Sequence, residues 1–172
     1  MNLVFDLETD GLLKTFTQIH CLCIHDLDED QTYTFNDQGN QEPIVRGIEM
    51  LADADTVVGH NLVHFDIPVI KRIYKWFESP YIIDTLLLSR LYHPNIMEVD
   101  NRRKWNLMPI NLYGRHSLES YGYRLGCHKG EFAKETDWQK WSPEMEAYME
   151  QDVVVTTRLW HHFETKFPGS TT

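Results

Sequence analysis

Three period-two segments come first in this chain, and only then do helices and strands alternate; that order restricts the possible folds more than any other feature. Residues 2–8 put Leu3, Phe5 and Leu7 on one side and Val4, Asp6 and Glu8 on the other, the pattern of a half-buried strand. Residues 19–25 and 32–35 read as two more strands, separated by the acidic turn cluster at 26–30, so an antiparallel meander is expected. A helix runs from Pro43 to about Ala52, then a short buried strand over 56–59, a helix over 67–77 with Pro68 in its first turn, and a fifth strand over 81–83. Asp84 reads as the N-cap of a helix through Leu91, which stops before Pro94. Residues 94–114 lack a clean period and read as a surface excursion. Ser117 to Leu125 is a helix closed by Gly126, and Ser142-Pro143 opens a long final helix to about Phe163. The expectation is an α/β fold, one mixed five-stranded sheet with helices on both faces.

A chain of 172 residues makes one compact domain and buries roughly 70% of its unfolded surface, so it needs no disulfide or metal merely to fold. Any metal would therefore be functional. No apolar run approaches the roughly 18 residues that span a bilayer, so a soluble protein without membrane contact is expected. The start, Met-Asn-Leu-Val-Phe-Asp, has neither a basic stretch before an apolar one nor a cleavage site, so no secretory signal is expected. Cys21 and Cys23 share a strand face and Cys127 stands alone, which fits buried thiols in a reducing cytoplasm.

A net charge of −10 would ordinarily repel nucleic acid. The charge is unevenly spread. Residues 94–129 hold six basic side chains (Arg102, Arg103, Lys104, Arg115, Arg124, Lys129) against three acids, so this segment is +3 and the rest of the chain carries −13.

Among 13 Asp and 13 Glu, one Asp-x-Glu is expected by chance, and Asp6-Leu7-Glu8 is the only one. Its place on a strand matters more than its existence, because residues two apart project from one face about 7 Å from each other. They either meet solvent at the strand end or contribute jointly to a site. In the final helix Met145, Tyr148, Asp152, Val155 and Leu159 recur at spacings of three and four and form one stripe. Asp152 thus lies on the inward face, where a lone carboxylate costs several kcal/mol. A basic partner, a hydrogen-bond network or a metal must compensate it. Tyr148 is its neighbour at i, i+4; the other Tyr-x-x-x-Asp, Tyr33 and Asp37, falls on a strand and its turn and cannot act jointly.

Asp66 stands at the first turn of a helix directly after a buried strand. It serves either as a helix-start charge or as a site residue, since strand ends and helix starts of α/β proteins meet at one crevice. Four acids gathered there would need neutralising, and Mg²⁺ or Mn²⁺ favour such oxygen donors. Two such ions about 3.5–4 Å apart are the usual device for attack on a phosphodiester.

Phe5-Asp6-Leu7-Glu8-Thr9, His60-Asn61 through Phe65-Asp66, and Tyr148-Met149-Glu150-Gln151-Asp152 resemble the three motifs of the DEDD exonucleases, in the family's order. The tyrosine subtype is indicated, because the position of the histidine subtype's His is Ala147. Ile83-Asp84-Thr85-Leu86 with Ser89-Arg90-Leu91, and His116-Ser117-Leu118-Glu119 through Gly126, are similar to the proofreading domain of short-tailed coliphage family-A DNA polymerases. The resemblance implies a ribonuclease-H-like fold over residues 1–166, with 167–172 as tail or linker, and 3′→5′ hydrolysis of DNA by two metal ions. It implies that Asp6, Glu8 and Asp152 hold one ion, that Asp6 bridges to the second, that Asp66 assists through water, and that Tyr148 orients the attacking water.

By the same resemblance Thr9 meets the 3′ end through its backbone, Leu12 packs on the terminal base, and His60, Asn61 and Phe65 lie along the strand. Leu12 can equally be a plain apolar loop residue. Phe65 lacks the hydroxyl that polymerase-I relatives often place there. Arg102, Arg103 and Lys104, with Arg115, Arg124 and Lys129, are candidates for phosphate contacts or a solvated basic loop. Trp105 either stacks on a base or pins that loop to the core.

The expected partner is single-stranded DNA or a frayed 3′ end, with a DNA polymerase as a further candidate. A monomer in the cytoplasm of a phage's host is expected, free-standing rather than cut from a polymerase. An exoribonuclease and a non-catalytic polymerase-associated module are the competing functions; a module freed from catalysis has no reason to keep a buried cluster of acids.

Overall fold

The computed structural model describes residues 1–128 and 137–166; Lys129 and the expected tail at 167–172 lie outside them. Five strands form one sheet: β1 (Asn2–Thr9), β2 (Ile19–Asp26), β3 (Gln31–Asn36), β4 (Thr56–Gly59) and β5 (Tyr81–Asp84). Their order is β3-β2-β1-β4-β5, with β1 central. The first three pair antiparallel as a meander, while β4 and β5 run parallel to β1. The mixed α/β sheet expected from the pattern is therefore present.

Alternation along β1 decides which residues meet which layer. Leu3, Phe5 and Leu7 join Leu22 and Ile24 of β2 in a core covered by α1 (Ile44–Ala52) and α2 (Asp66–Ile73). The opposite face carries Val4, Asp6 and Glu8, beside Cys21 and Cys23, under α6 (Pro143–Glu164). The close approach of α1 needs Gly47, where a Cβ would fall 2.5 Å from Leu22 Cδ2 and 2.8 Å from Phe35. All three cysteines are buried free thiols, as expected.

The remaining helices, α3 (Thr85–Tyr92), α4 (Ile96–Arg103) and α5 (Leu118–Arg124), pack on the C-terminal half of α6 around Ile96, Tyr121, Leu159 and Phe163. The expected caps are in place. Ser142 Oγ accepts the Met145 N–H at 3.1 Å, with Pro143 in the first turn of α6, and Ser117 Oγ accepts from Ser120 at 3.2 Å. Gly126, at φ +72°, closes α5.

Two expectations are corrected. The helix over 67–77 is shorter, Asp66–Ile73, because Tyr74 leaves helical geometry at φ −104°, ψ 85°. The surface excursion over 94–114 contains α4, whose Ile96 and Asp100 are both buried. An aspartate at an inward position hid that helix from a hydrophobic pattern. No helix among the described residues is long and apolar enough to cross a membrane.

Candidate active site

The two carboxylates of β1 point from one face of the central strand, opposite Cys23 and Cys21 in the β1–β2 ladder. Above them α6 brings Asp152. One carboxylate oxygen from each of Asp6, Glu8 and Asp152 lies within 4.8 Å of the others. The helix is held over β1 by β3, where Asn36 Nδ2 donates to Glu146 at 2.7 Å and Thr34 Oγ1 donates to Glu150 at 2.8 Å. Asp152 follows within the next turn. Neither glutamate stood out in the sequence, since both are ordinary for a helix surface.

The charge on this face is visible in its neighbours. Burial first, then Glu150 and Asp6, push the Cys23 thiol up to about 12. Burial followed by the charges of Asp152 and Glu8 raises the Tyr148 phenol well above its ordinary value. Tyr148 is therefore a neutral hydroxyl at physiological pH, able to donate or accept a hydrogen bond and unsuited to act as a base.

Asp66 is 3% exposed and is not one of the three clustered acids. Burial, with smaller contributions from Asp84 and Asp152, pushes its carboxyl up to about 8; its own backbone N–H and that of Leu7 oppose this. The influence of Leu7, the residue between Asp6 and Glu8, places Asp66 at the same strand end.

The second segment is shaped by Asp84. Besides capping α3 through Leu86 N–H at 3.0 Å, its carboxylate accepts Asn61 N–H at 2.9 Å and Val63 N–H at 3.1 Å. Asn61 is held at φ +67°, the left-handed region an Asn tolerates. Thr85 Oγ1 donates to Gly59 O at 3.1 Å, so His60 Nδ1, 2.8 Å away, is the donor to Thr85. Burial lowers the His60 pKa to about 4, against the pull of Asp84. The cap was legible in the sequence; the grip on the 60–63 loop joins residues more than 20 apart and was not.

A cleft of about 380 Å³ opens beside the acids, lined by Glu8, Thr9, Leu12, Phe65, Trp138 and Gln139 among others. Leu12 is 78% exposed there. Thr9, Leu12 and Phe65 are thus brought to one place, next to Glu8. Trp138 and Gln139 were missed, because they precede α6 and belong to no period.

Among the described residues, the expected basic run lies elsewhere. Arg102, Arg103 and Lys104 form the exposed end of α4, and none of them lines the cleft. The Arg103 guanidinium sits 4.3 Å from the Trp105 ring, and Trp105 Nε1 donates to Asp100 at 2.9 Å, so this tryptophan pins the loop. Arg124 is a correction: its guanidinium is buried on Asp100 and is not available to a phosphate.

The RNase_H superfamily model matches residues 3–164. The DNA-directed DNA polymerase of Enterobacteria phage T3 is 31% identical over 181 residues, covering 91% of this chain and 26% of that protein. That of Escherichia phage T7 is 32% identical over 182 residues, with the same coverage. The chain thus spans about a quarter of the length of these relatives, and the coliphage-polymerase resemblance drawn from the motifs holds. Among solved structures, Brucella melitensis NrnC superposes with a TM-score of 0.65 at 17% identity, covering 95% of this chain and 72% of that one. The Escherichia coli ExoI–ssDNA complex gives 0.59 at 16%, covering 98% and 41%. The fold and the 162-residue match agree: the chain belongs to the RNase_H superfamily.

Proposed function

We propose that this chain is a divalent-metal exonuclease that removes nucleotides from the 3′ ends of DNA, single strands and frayed ends before duplex. The observation that carries the reading is the gathering of Asp6, Glu8 and Asp152 within 4.8 Å of one another beside a cleft large enough for a nucleotide. DNA is favoured over RNA by the identity with two phage DNA polymerases. NrnC with bound Mg²⁺ and ExoI with single-stranded DNA supply fold-level support.

Three carboxylates in near contact suit a hard cation with oxygen ligands. Asp6, Glu8 and Asp152 would hold Mg²⁺ or Mn²⁺, and Asp66 would serve a second ion. Such ions, when bound, supply charge stabilisation at the phosphate and a nucleophile at neutral pH. The chain's own residues do the rest. Tyr148 stays protonated and orients the attacking water, Thr9, Leu12 and Phe65 receive the terminal nucleotide, and His60 and Asn61 shape the loop along the strand. Arg102, Arg103 and Lys104 meet phosphates further from the end. The protein works as a monomer in the host cytoplasm, with a DNA polymerase as a candidate partner.

The test is digestion of matched DNA and RNA oligonucleotides labelled at either end, with and without chelator. A 5′-labelled DNA strand should shorten stepwise, a 3′ label should leave at once as mononucleotide, and chelator should stop both. Chelator-insensitive cleavage or early release of a 5′ label refutes the reading. Faster decay of RNA turns it into an exoribonuclease.

A further inference from the structure

Trp138 lies just before α6 and faces two ways. The residue lines the cleft with Glu8, Leu12 and Phe65, and its ring meets the Tyr148 ring edge to face, the centroids 6.0 Å apart at 76°. The segment that carries it is fixed from two sides. Buried His20 of β2 places Nε2 3.1 Å from Trp138 O, and Gln139 Nε2 donates to Asp10 O at 3.2 Å, tying the segment to the loop that bears Leu12. Packing alone does not account for this position. Trp138 leans on the Met145–Met149 cluster, yet it remains half-buried and lines the cavity.

We propose that Trp138 is the specificity-determining wall of the cleft, a stacking surface that recognises the unpaired nucleobase of the last nucleotide. This rests on the exonuclease reading above. A broad aromatic face stacks on any base, so the selection is for the presence of a planar base and not for its identity. The cleft volume, near the lower end for small-ligand sites, suits one nucleotide. Contact with Tyr148 keeps the ring beside the proposed water-orienting hydroxyl, so a base stacked on Trp138 brings its phosphodiester toward the three acids.

Two DNA oligonucleotides that differ only in carrying a normal or an abasic 3′-terminal residue test this. The wild type, Trp138→Phe and Trp138→Leu are compared, with thermal melting to show that each is folded. Leucine keeps apolar packing without an aromatic face. The wild-type KM should be about tenfold lower for the end that carries a base, as expected for one stacked base. Trp138→Phe should keep most of that preference, and Trp138→Leu should lose it by weakening only the normal end. An equal effect on both ends, or a preference that survives in Trp138→Leu, overturns the proposal. If the wild type cleaves neither oligonucleotide, the exonuclease reading falls. Equilibrium binding of the same two oligonucleotides then decides Trp138: a wild-type preference lost in Trp138→Leu supports it, and no preference overturns it.

Discussion

Arg124 grips Asp100 with two hydrogen bonds, Nε to Oδ1 at 3.0 Å and Nη2 to Oδ2 at 2.7 Å, while the two side chains are 7% and 0% exposed. Trp105 Nε1 and Gly114 N–H add donors at 2.9 Å each, so the carboxylate carries four. The Arg124 guanidinium also lies 4.9 Å from the Tyr121 ring. This one carboxylate joins α4, α5 and the loop between them. Burial alone would raise its pKa; Arg124, Gly114 and Trp105 outweigh burial and hold it below the ordinary value.

Removing one partner strands the other out of water. Arg124→Ala or Asp100→Ala should therefore destabilise the fold by about 3–5 kcal/mol, while the double variant costs less than the sum. Denaturant melts of the three variants measure this. Because the Asp100 pKa is depressed, its contribution is complete above the ordinary carboxylate value and fades as pH falls through the lowered one. Equal stability of Arg124→Ala and the parent at neutral pH contradicts the assignment.

Asp6→Ala and Asp152→Ala should each abolish hydrolysis, since each removes one of the three clustered carboxylates proposed to hold the metal. The rise in melting temperature on adding Mg²⁺ or Mn²⁺ should shrink in both. Calorimetry with and without metal, beside the nuclease assay, reads both effects. Retained activity in either variant removes that residue from the site.

These two cases show what a linear pattern reveals. Asp6 and Glu8 were assignable to one face because strand period fixes side, and Asp152 because Met145, Val155 and Leu159 mark the inward stripe of α6. Arg124 counted as a free cation because its partner lies 24 residues upstream, in a helix whose inward position is an aspartate. Trp138 was silent for a similar reason: its own tether to His20 and the tether of Gln139 to Asp10 reach back more than 110 residues. Periodicity carries orientation within an element, while pairing between distant elements has no local signature.

Arg102, Arg103 and Lys104 lie at the exposed end of α4, outside the cleft, so a role in binding would be electrostatic along the strand. Replacing all three by Ser should leave kcat on a saturating oligonucleotide unchanged. The slope of log KM against log salt should fall by about 1–2, at roughly 0.7 per phosphate contact on single strands. Kinetics between 50 and 200 mM salt, on the order used for such slopes, distinguish this from a solvated loop, which leaves the slope alone.

His60 gives the acid limb of stability a defined window. The ring is neutral in the folded state, with its pKa lowered to about 4 mainly by burial, whereas an unfolded chain restores the ordinary value of 6.5. Below 6.5 the unfolded state takes up a proton that the folded state refuses. Stability should therefore fall as pH drops from about 6.5 toward 4, with a total on the order of 2–3 kcal/mol from this residue. His60→Gln keeps a side-chain N–H able to reach Thr85 and cannot titrate, so its melts should lose that part of the slope while remaining folded at pH 7. Parallel pH profiles of the two proteins across the window would exclude His60 as the source, and a flatter profile in the variant locates the proton on this ring.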